Sequence, residues 1–263
     1  TMHIYDPRLE VIRDKVADAV RNADLVMLEA TPEEEAKLQE SITTDPGRLF
    51  IVDGPTLPER LDEETWQLVA DAATQRGIPS FMAAKMQPWY LSLTLAIPAC
   101  AIQEMLSGVS GLDKMIIQDA QAANVPLQAV EPFTTLFDLF KGQTIEEQID
   151  MLRVNMLAPD LQQQMFVSML DLYFAEDVGR LWDMSRIAIA EMPELDPAES
   201  MAMFEDMQDA LLDSRNRNWI PVITDATQTH DDIVMAVGAA HLIGDQGILQ
   251  LLENEGWTIT RIP

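Results

Sequence analysis

Cysteine is nearly absent: Cys100 is the only one in 263 residues, so no internal disulfide can form and no thiolate set can select a soft metal. Set among apolar neighbours in Ile97-Pro98-Ala99-Cys100-Ala101-Ile102, it reads as a small buried hydrophobe. Basic residues are scarce as well, 17 Lys and Arg against 44 Asp and Glu, and the formal charge of -27 repels both nucleic-acid phosphates and anionic membrane surfaces. That charge suits cationic ligands or metals, although a solvated acidic surface is its ordinary meaning. Long apolar runs are missing too. The richest stretch, Tyr90 to Ile102, is broken by Pro98 and falls short of the ~20 residues that cross a bilayer, so no membrane insertion by this chain is expected. No basic start with an apolar stretch behind it marks a signal peptide.

What the chain does have is a patterned core. A 48% apolar content places it among folded globular proteins, in one large domain or two. Leu9, Ile12, Val16 and Val20 space out a helix over Asp6 to Asn22. Leu25 to Leu28 then reads as a short strand that stops at Glu29. Leu49 to Val52 reads as a second strand, and Val125 to Val130 as a third ending at Glu131. From Thr144 to Arg217 the pattern is helical, over Ile145 to Leu157, Leu161 to Phe174, Val178 to Ala190 and Pro197 to Arg217, and it is rich in methionine, Met192 and Met203 included. Arg215, Asn216 and Trp219 close it, with the arginines explained as cations at a helix C-terminus. Ile233 to Val237 is a further strand, followed by Gly238-Ala239-Ala240-His241, a turn at Gly244 and Gly247, and a helix over Ile248 to Asn254. Thr258 to Ile262 alternates like an edge strand.

Strands that end in Glu29, Glu131 and a histidine-bearing turn describe an α/β protein, in which ligands lie at the carboxyl ends of the strands. His241 and Glu29 are therefore candidate site residues. Taken alone, a single histidine after an apolar strand is more often a structural residue, and Glu29 a solvated strand end. His230, in the polar stretch Thr227 to Asp231, reads as an exposed histidine without a role.

The chain opens Thr1-Met2-His3, the tail of a second GxxH whose glycine would stand before residue 1, so trimming or processing of an upstream segment is expected. This tail stands with Val26-Met27-Leu28-Glu29, Asp53-Gly54-Pro55, Lys85-Met86-Gln87-Pro88-Trp89, Gly111-Leu112-Asp113, Val130-Glu131, Arg215-Asn216 with Trp219, and Gly238 to His241 running on to Gly256-Trp257, and of these landmarks the last block is the specific one. Over essentially its whole length the chain resembles the TraB/PrgY/GumN family, which includes the Tiki metalloproteases and shares a fold with erythromycin esterase and a haem-binding relative, ChaN. The resemblance implies one α/β (α+β) domain over 1–263: a central mixed β-sheet flanked by helices, with a helical segment at about 133–217 inserted between strands and covering the cleft.

The resemblance also implies a site. His3, Glu29 and His241 become the ligands of a divalent metal, Mn, Co, Zn or Fe, which activates water for peptide or ester hydrolysis. Arg215 becomes a clamp for an oxyanion or carboxylate, Asn216 an orienting group, and Glu131 a general base or a partner of the ligands. The expected substrate is a peptide or small molecule, and a homodimer with paired sites is compatible. Bacterial GumN-type members imply export through a segment outside residues 1–263; without one the location is cytoplasmic. Metal-dependent hydrolysis ranks first, a non-catalytic protein that sequesters peptide or haem second, and an interaction module with vestigial histidines third.

Overall fold

The structure is a computed structural model, which describes residues 1–106, 108–140, 142–156, 159–190 and 196–262. The chain divides into two compact units. The first comprises Thr1–Thr31, Ser110–Pro132 and Val167–Pro263; the second comprises Pro32–Val109 and Phe133–Phe166.

The first unit holds a three-stranded sheet in the order β2-β1-β3, where β1 is Leu25–Leu28, β2 is Leu127–Ala129 and β3 is Ile233–Ala236. β1 lies in the middle, paired in parallel on both sides, with Leu28 opposite Ala129 and Ala236. All four of its residues are buried. Its side chains alternate between two cores, as strand geometry requires. Val26 and Leu28 pack with Leu9, Val20, Met115, Ile116 and Ala120, from the helices Leu9–Asn22 and Leu112–Ala123. Leu25 and Met27 pack with Trp219, Ile223 and Ile248, from the helices Ser214–Ala226 and Ile248–Asn254. A parallel sheet covered on both faces accounts for the continuous apolar runs of its strands.

The expected mixed sheet is thus parallel throughout its described strands. Leu49 to Val52 is not one of them. It lies in the second unit, and only Phe50 forms an isolated antiparallel bridge, to Met86. Thr258 to Ile262 has no regular structure, because alternating polarity does not supply a strand partner. The last long helix does not stop at Arg217. Pro197–Gln208 passes through a π turn, Asp209–Asp213, into Ser214–Ala226, which carries Pro221 inside it. Arg215 therefore sits in the first turn of a helix, not at a C-terminus. Leu157 and Met192 lie outside the described residues.

The second unit is built on Leu57, Val69, Leu91, Leu95, Ile149 and Leu152, all buried. Trp89 stacks on Phe140 with ring centroids 4.7 Å apart. Arg76 donates to the carbonyls of Leu95 and Ile97, at the end of the helix Pro88–Ala96, so a cation meets the negative pole of that helix. Cys100 is exposed rather than buried, since at this turn of the helix Ala99–Leu106 it is Ala101 that faces inward.

Candidate active site

All three strands deliver their next residues to one edge of the sheet. Glu29 follows β1, Glu131 follows β2 by two residues, and Gly238 and His241 follow β3, with His241 on the short 3-10 turn Ala239–Leu242. The helical stretch that carries Arg215, Asn216 and Trp219 supplies the rest. Arg215 and Trp219 are one helical turn apart and share a face. The π turn ahead of them is the kind of irregularity that often marks a functional site.

Arg215 is the hub. Its Nε donates to Glu131 Oε2 at 3.0 Å, and its Nη2 donates to Glu131 Oε1 at 2.6 Å and to Glu29 Oε2 at 2.7 Å. Its Nη1 donates to the Leu211 carbonyl in the π turn at 2.9 Å and faces His241 Nε2 at 3.2 Å. These contacts use all five N–H groups of a guanidinium. The fork therefore has nothing left for a substrate oxyanion or carboxylate while this arrangement holds. Glu131 Oε2 also accepts from Trp219 Nε1 at 2.9 Å, and the Trp219 ring lies 4.4 Å from the His241 ring. The Arg215 guanidinium stands over the same indole at 5.0 Å, within cation–π range.

The protonation of His241 follows from its neighbours. Arg215 can only donate, so Nε2 must carry a lone pair. Asn216 Nδ2 donates to the Gln246 carbonyl at 2.8 Å, which turns its Oδ1 toward His241 Nδ1 at 2.7 Å. The proton is therefore on Nδ1. Burial is the main reason the imidazole is pushed down to about 4, opposed by Glu29 and assisted by Arg215, and the ring is neutral at physiological pH. Burial alone would push Glu29 up. The Gly238 N–H, which donates to Oε1 at 2.6 Å, together with the imidazole and the guanidinium, outweighs it and holds the carboxyl below its usual range. Arg215 stays above its ordinary value because Glu131 and Glu29 overcome the effect of its burial.

Gly238 is favoured by closeness, not by its backbone angles. A Cβ there would meet Glu29 Oε1 at 3.2 Å and the His241 ring at 3.5 Å. This is the physical content of the glycine that opens Gly238-Ala239-Ala240-His241.

The structure thus brings together Glu29, Glu131, Arg215, Asn216 and His241. Glu29 and Glu131 have side chains 14% exposed, Arg215 16% and His241 5%. His3 stands apart from their hydrogen bonds. Its side chain is 62% exposed, and its Nδ1 lies 3.2 Å from Asp113 Oδ2. That carboxylate is the main reason its pKa is raised, against the opposing effect of burial. Among the described residues no group of three or more His, Cys, Asp or Glu is arranged to hold a metal ion. Three parts of the site were not assigned from sequence: the Gly238 N–H, Trp219 as the ring under His241, and Asp113 as the partner of His3. The first two had a signal, in the glycine of the motif and in the one-turn spacing of Arg215 and Trp219. His230 is half-buried and bonds the Ala226 carbonyl at the end of its helix.

A parallel α/β sheet whose carboxyl edge carries paired carboxylates, one fixed guanidinium and a neutral histidine defines the class of this protein. More narrowly, the model of the TraB/PrgY/gumN family matches residues 1–261, and the chain belongs to that family. No curated protein and no solved structure matches it.

Proposed function

We propose that this chain is a metal-dependent hydrolase of peptide bonds or a related acyl substrate, in the manner of the Tiki-like peptidases it resembles. One observation carries the reading: His241 Nε2, neutral and fixed in one tautomer, faces Glu29 Oε2 at 3.8 Å on the carboxyl edge of the sheet. The charges support it, since one guanidinium among two carboxylates and a neutral imidazole leaves a net negative site.

The donors fit the expected cofactor in part. Imidazole nitrogen and carboxylate oxygen suit Zn, Mn, Co or Fe, and His241 and Glu29 would be the residues to hold such an ion. Arg215 already engages both groups, so they would be free to hold an ion only with Nη1 and Nη2 released, while Nε stays on Glu131. His3, the third expected ligand, is turned to Asp113. When bound, such an ion lowers the pKa of a water and polarises a carbonyl.

The chain supplies the rest. The Gly238 N–H and Arg215 hold the two oxygens of Glu29 apart and ionised. Asn216 keeps the His241 proton on Nδ1, which leaves Nε2 to accept a proton or bind an ion. Glu131 anchors the guanidinium and is itself held by Trp219. Arg215 and Asn216 are thereby positioning residues, and Glu29 and His241 the reacting ones. The low exposure of all four keeps water scarce, which strengthens each charge interaction.

Elemental analysis of protein purified without chelators, beside peptide-library cleavage, tests this. Stoichiometric Mn, Zn, Co or Fe that is lost in both Glu29→Ala and His241→Ala, with cleavage stopped by a chelator, is the expected result. A metal-free wild-type chain that cleaves nothing with metal added sinks it.

A second reading, binding without turnover, is favoured by a cavity of about 440 Å³ against Asn216 and Ala240, with Trp182, Leu212 and Ile243 in its walls and Asp213 and Asp245 beside them. Recovery of intact peptide after saturable binding supports it, and a Soret band lost in His241→Ala supports its haem version.

A further inference from the structure

The N-terminal histidine is anchored at its backbone, against the start of the helix Leu112–Ala123. The chain at Met2 and His3 is pressed against Gly111, where an added Cβ would meet the His3 carbonyl at 2.3 Å and the Met2 carbonyl at 2.5 Å. Leu112 N–H donates to the Met2 carbonyl at 2.9 Å. One residue on, Asp113 Oδ2 stands 3.2 Å from His3 Nδ1. The other oxygen, Asp113 Oδ1, is buried and has no hydrogen-bond partner among the described residues. A largely buried carboxylate with an unpaired oxygen is costly, and packing alone gives no reason for it. The first turn of the helix Leu112–Ala123 offsets part of that cost through its positive pole.

Glu29 sits within electrostatic reach of both histidines. His241 has its Nδ1 taken by Asn216 and keeps Nε2 for chemistry. His3 has its Nδ1 taken by Asp113.

We propose that Asp113 is the positioning residue of His3: it holds the proton on Nδ1, fixes the ring, and leaves the exposed Nε2 as the atom that His3 turns to substrate or metal. The chemical consequence rests on the hydrolase reading above; the tautomer does not. An outer carboxylate of this kind orients a reacting imidazole, and its loss typically costs 10–100-fold in affinity or activity. Asn216 and Asp113 thus play the same part for the two histidines, one with a neutral amide and one with a carboxylate.

The test uses the full chain labelled with ¹⁵N at histidine, at about pH 9 where the imidazoles are neutral. The His3 signals are assigned by their loss in His3→Gln. In the wild type, Nδ1 carries the proton and Nε2 does not. Asp113→Ala returns His3 to the tautomer mixture of free imidazole, whereas Asp113→Asn, which keeps an acceptor oxygen, retains the wild-type signature. In peptide cleavage Asp113→Ala lowers kcat about 10–100-fold with KM little changed, and Asp113→Asn restores most of it. If Asp113→Ala does not fold, Asp113→Ser, too short to reach Nδ1, replaces it. A His3 signature unchanged in that variant overturns the proposal, and so does an altered signature with unchanged kcat. A wild-type chain that neither cleaves peptides nor binds metal overturns the hydrolase reading instead, and the ring signature alone then decides the role of Asp113.

Discussion

Replacing Arg215 by methionine is the most informative perturbation, because it removes the guanidinium that joins two largely buried carboxylates. Among the described residues, Arg215→Met leaves Glu29 the Gly238 N–H and Glu131 the Trp219 indole N–H. Breaking a buried ion pair by deleting one partner costs about 3–5 kcal/mol, since the stranded charge has lost its hydration as well. At roughly 2–4 °C per kcal/mol, Tm falls by about 6–20 °C at neutral pH. The loss depends on pH in a set direction. In the wild type the Glu29 carboxyl lies below its usual value, so its contribution is complete above about 4.5 and is lost as pH falls. In the variant, burial pushes that carboxyl up and proton uptake relieves the strain. The gap between the two proteins therefore narrows on acidification. Urea unfolding followed by circular dichroism at neutral pH and at about pH 4.5 measures it. On the proposed metal-dependent reading, a divalent ion at a hundredfold over its Kd returns about 2.7 kcal/mol to the variant. A loss under about 1 kcal/mol, or one that is the same at both pH values, would refute the account of Arg215 as the charge that holds the site together.

Three further outcomes are expected. The depressed pKa of His241, about 4 against the ordinary 6.5, contributes stability that is complete above pH 6.5 and lost as pH falls through 4, for a total of about 3 kcal/mol; His241→Gln flattens that part of the pH profile of urea midpoints. Asn216→Asp places a carboxylate at Nδ1 and raises the His241 pKa, which NMR titration reads directly; an unmoved pKa contradicts the assigned tautomer. Gly111→Ala drives a Cβ into the backbone of His3 and costs about 1–3 kcal/mol or more, while Gly238→Ala meets a carboxylate oxygen that can yield, so it costs less in Tm but weakens metal binding; calorimetry and elemental analysis separate the two.

The central strand and the residues at the sheet edge were legible because a strand buried on both faces leaves an uninterrupted apolar signature. Leu25 to Leu28 followed by Glu29, and Ile233 to Ala236 followed by Gly238 and His241, can be read as strand ends without any partner in view. Leu49 to Val52 carries the same signature, and local pattern could not reveal that its partners are absent. Arg215 and Arg217 suggested a helix C-terminus, yet the helix runs on past Pro221 to Ala226 with Trp219 and Ile223 packed under the sheet, so burial outweighed the missing N–H. The pairing of His3 with Asp113 joins positions far apart in the chain, and no short-range spacing encodes it.

The π turn Asp209–Asp213 has a consequence for how this family can vary. Such a turn amounts to one residue inserted into an α-helix, and each residue advances the helix by about 100°. Everything after it, Arg215, Asn216 and Trp219 included, owes its angular phase to that one extra position. Deleting Leu211 would heal the hydrogen-bond ladder and leave composition almost untouched, yet it would rotate the guanidinium away from both glutamates by about a quarter turn. A helix that ran through this place without the extra residue would turn its side chains about a quarter turn away from the sheet edge, so the spacing here matters as much as the residues themselves.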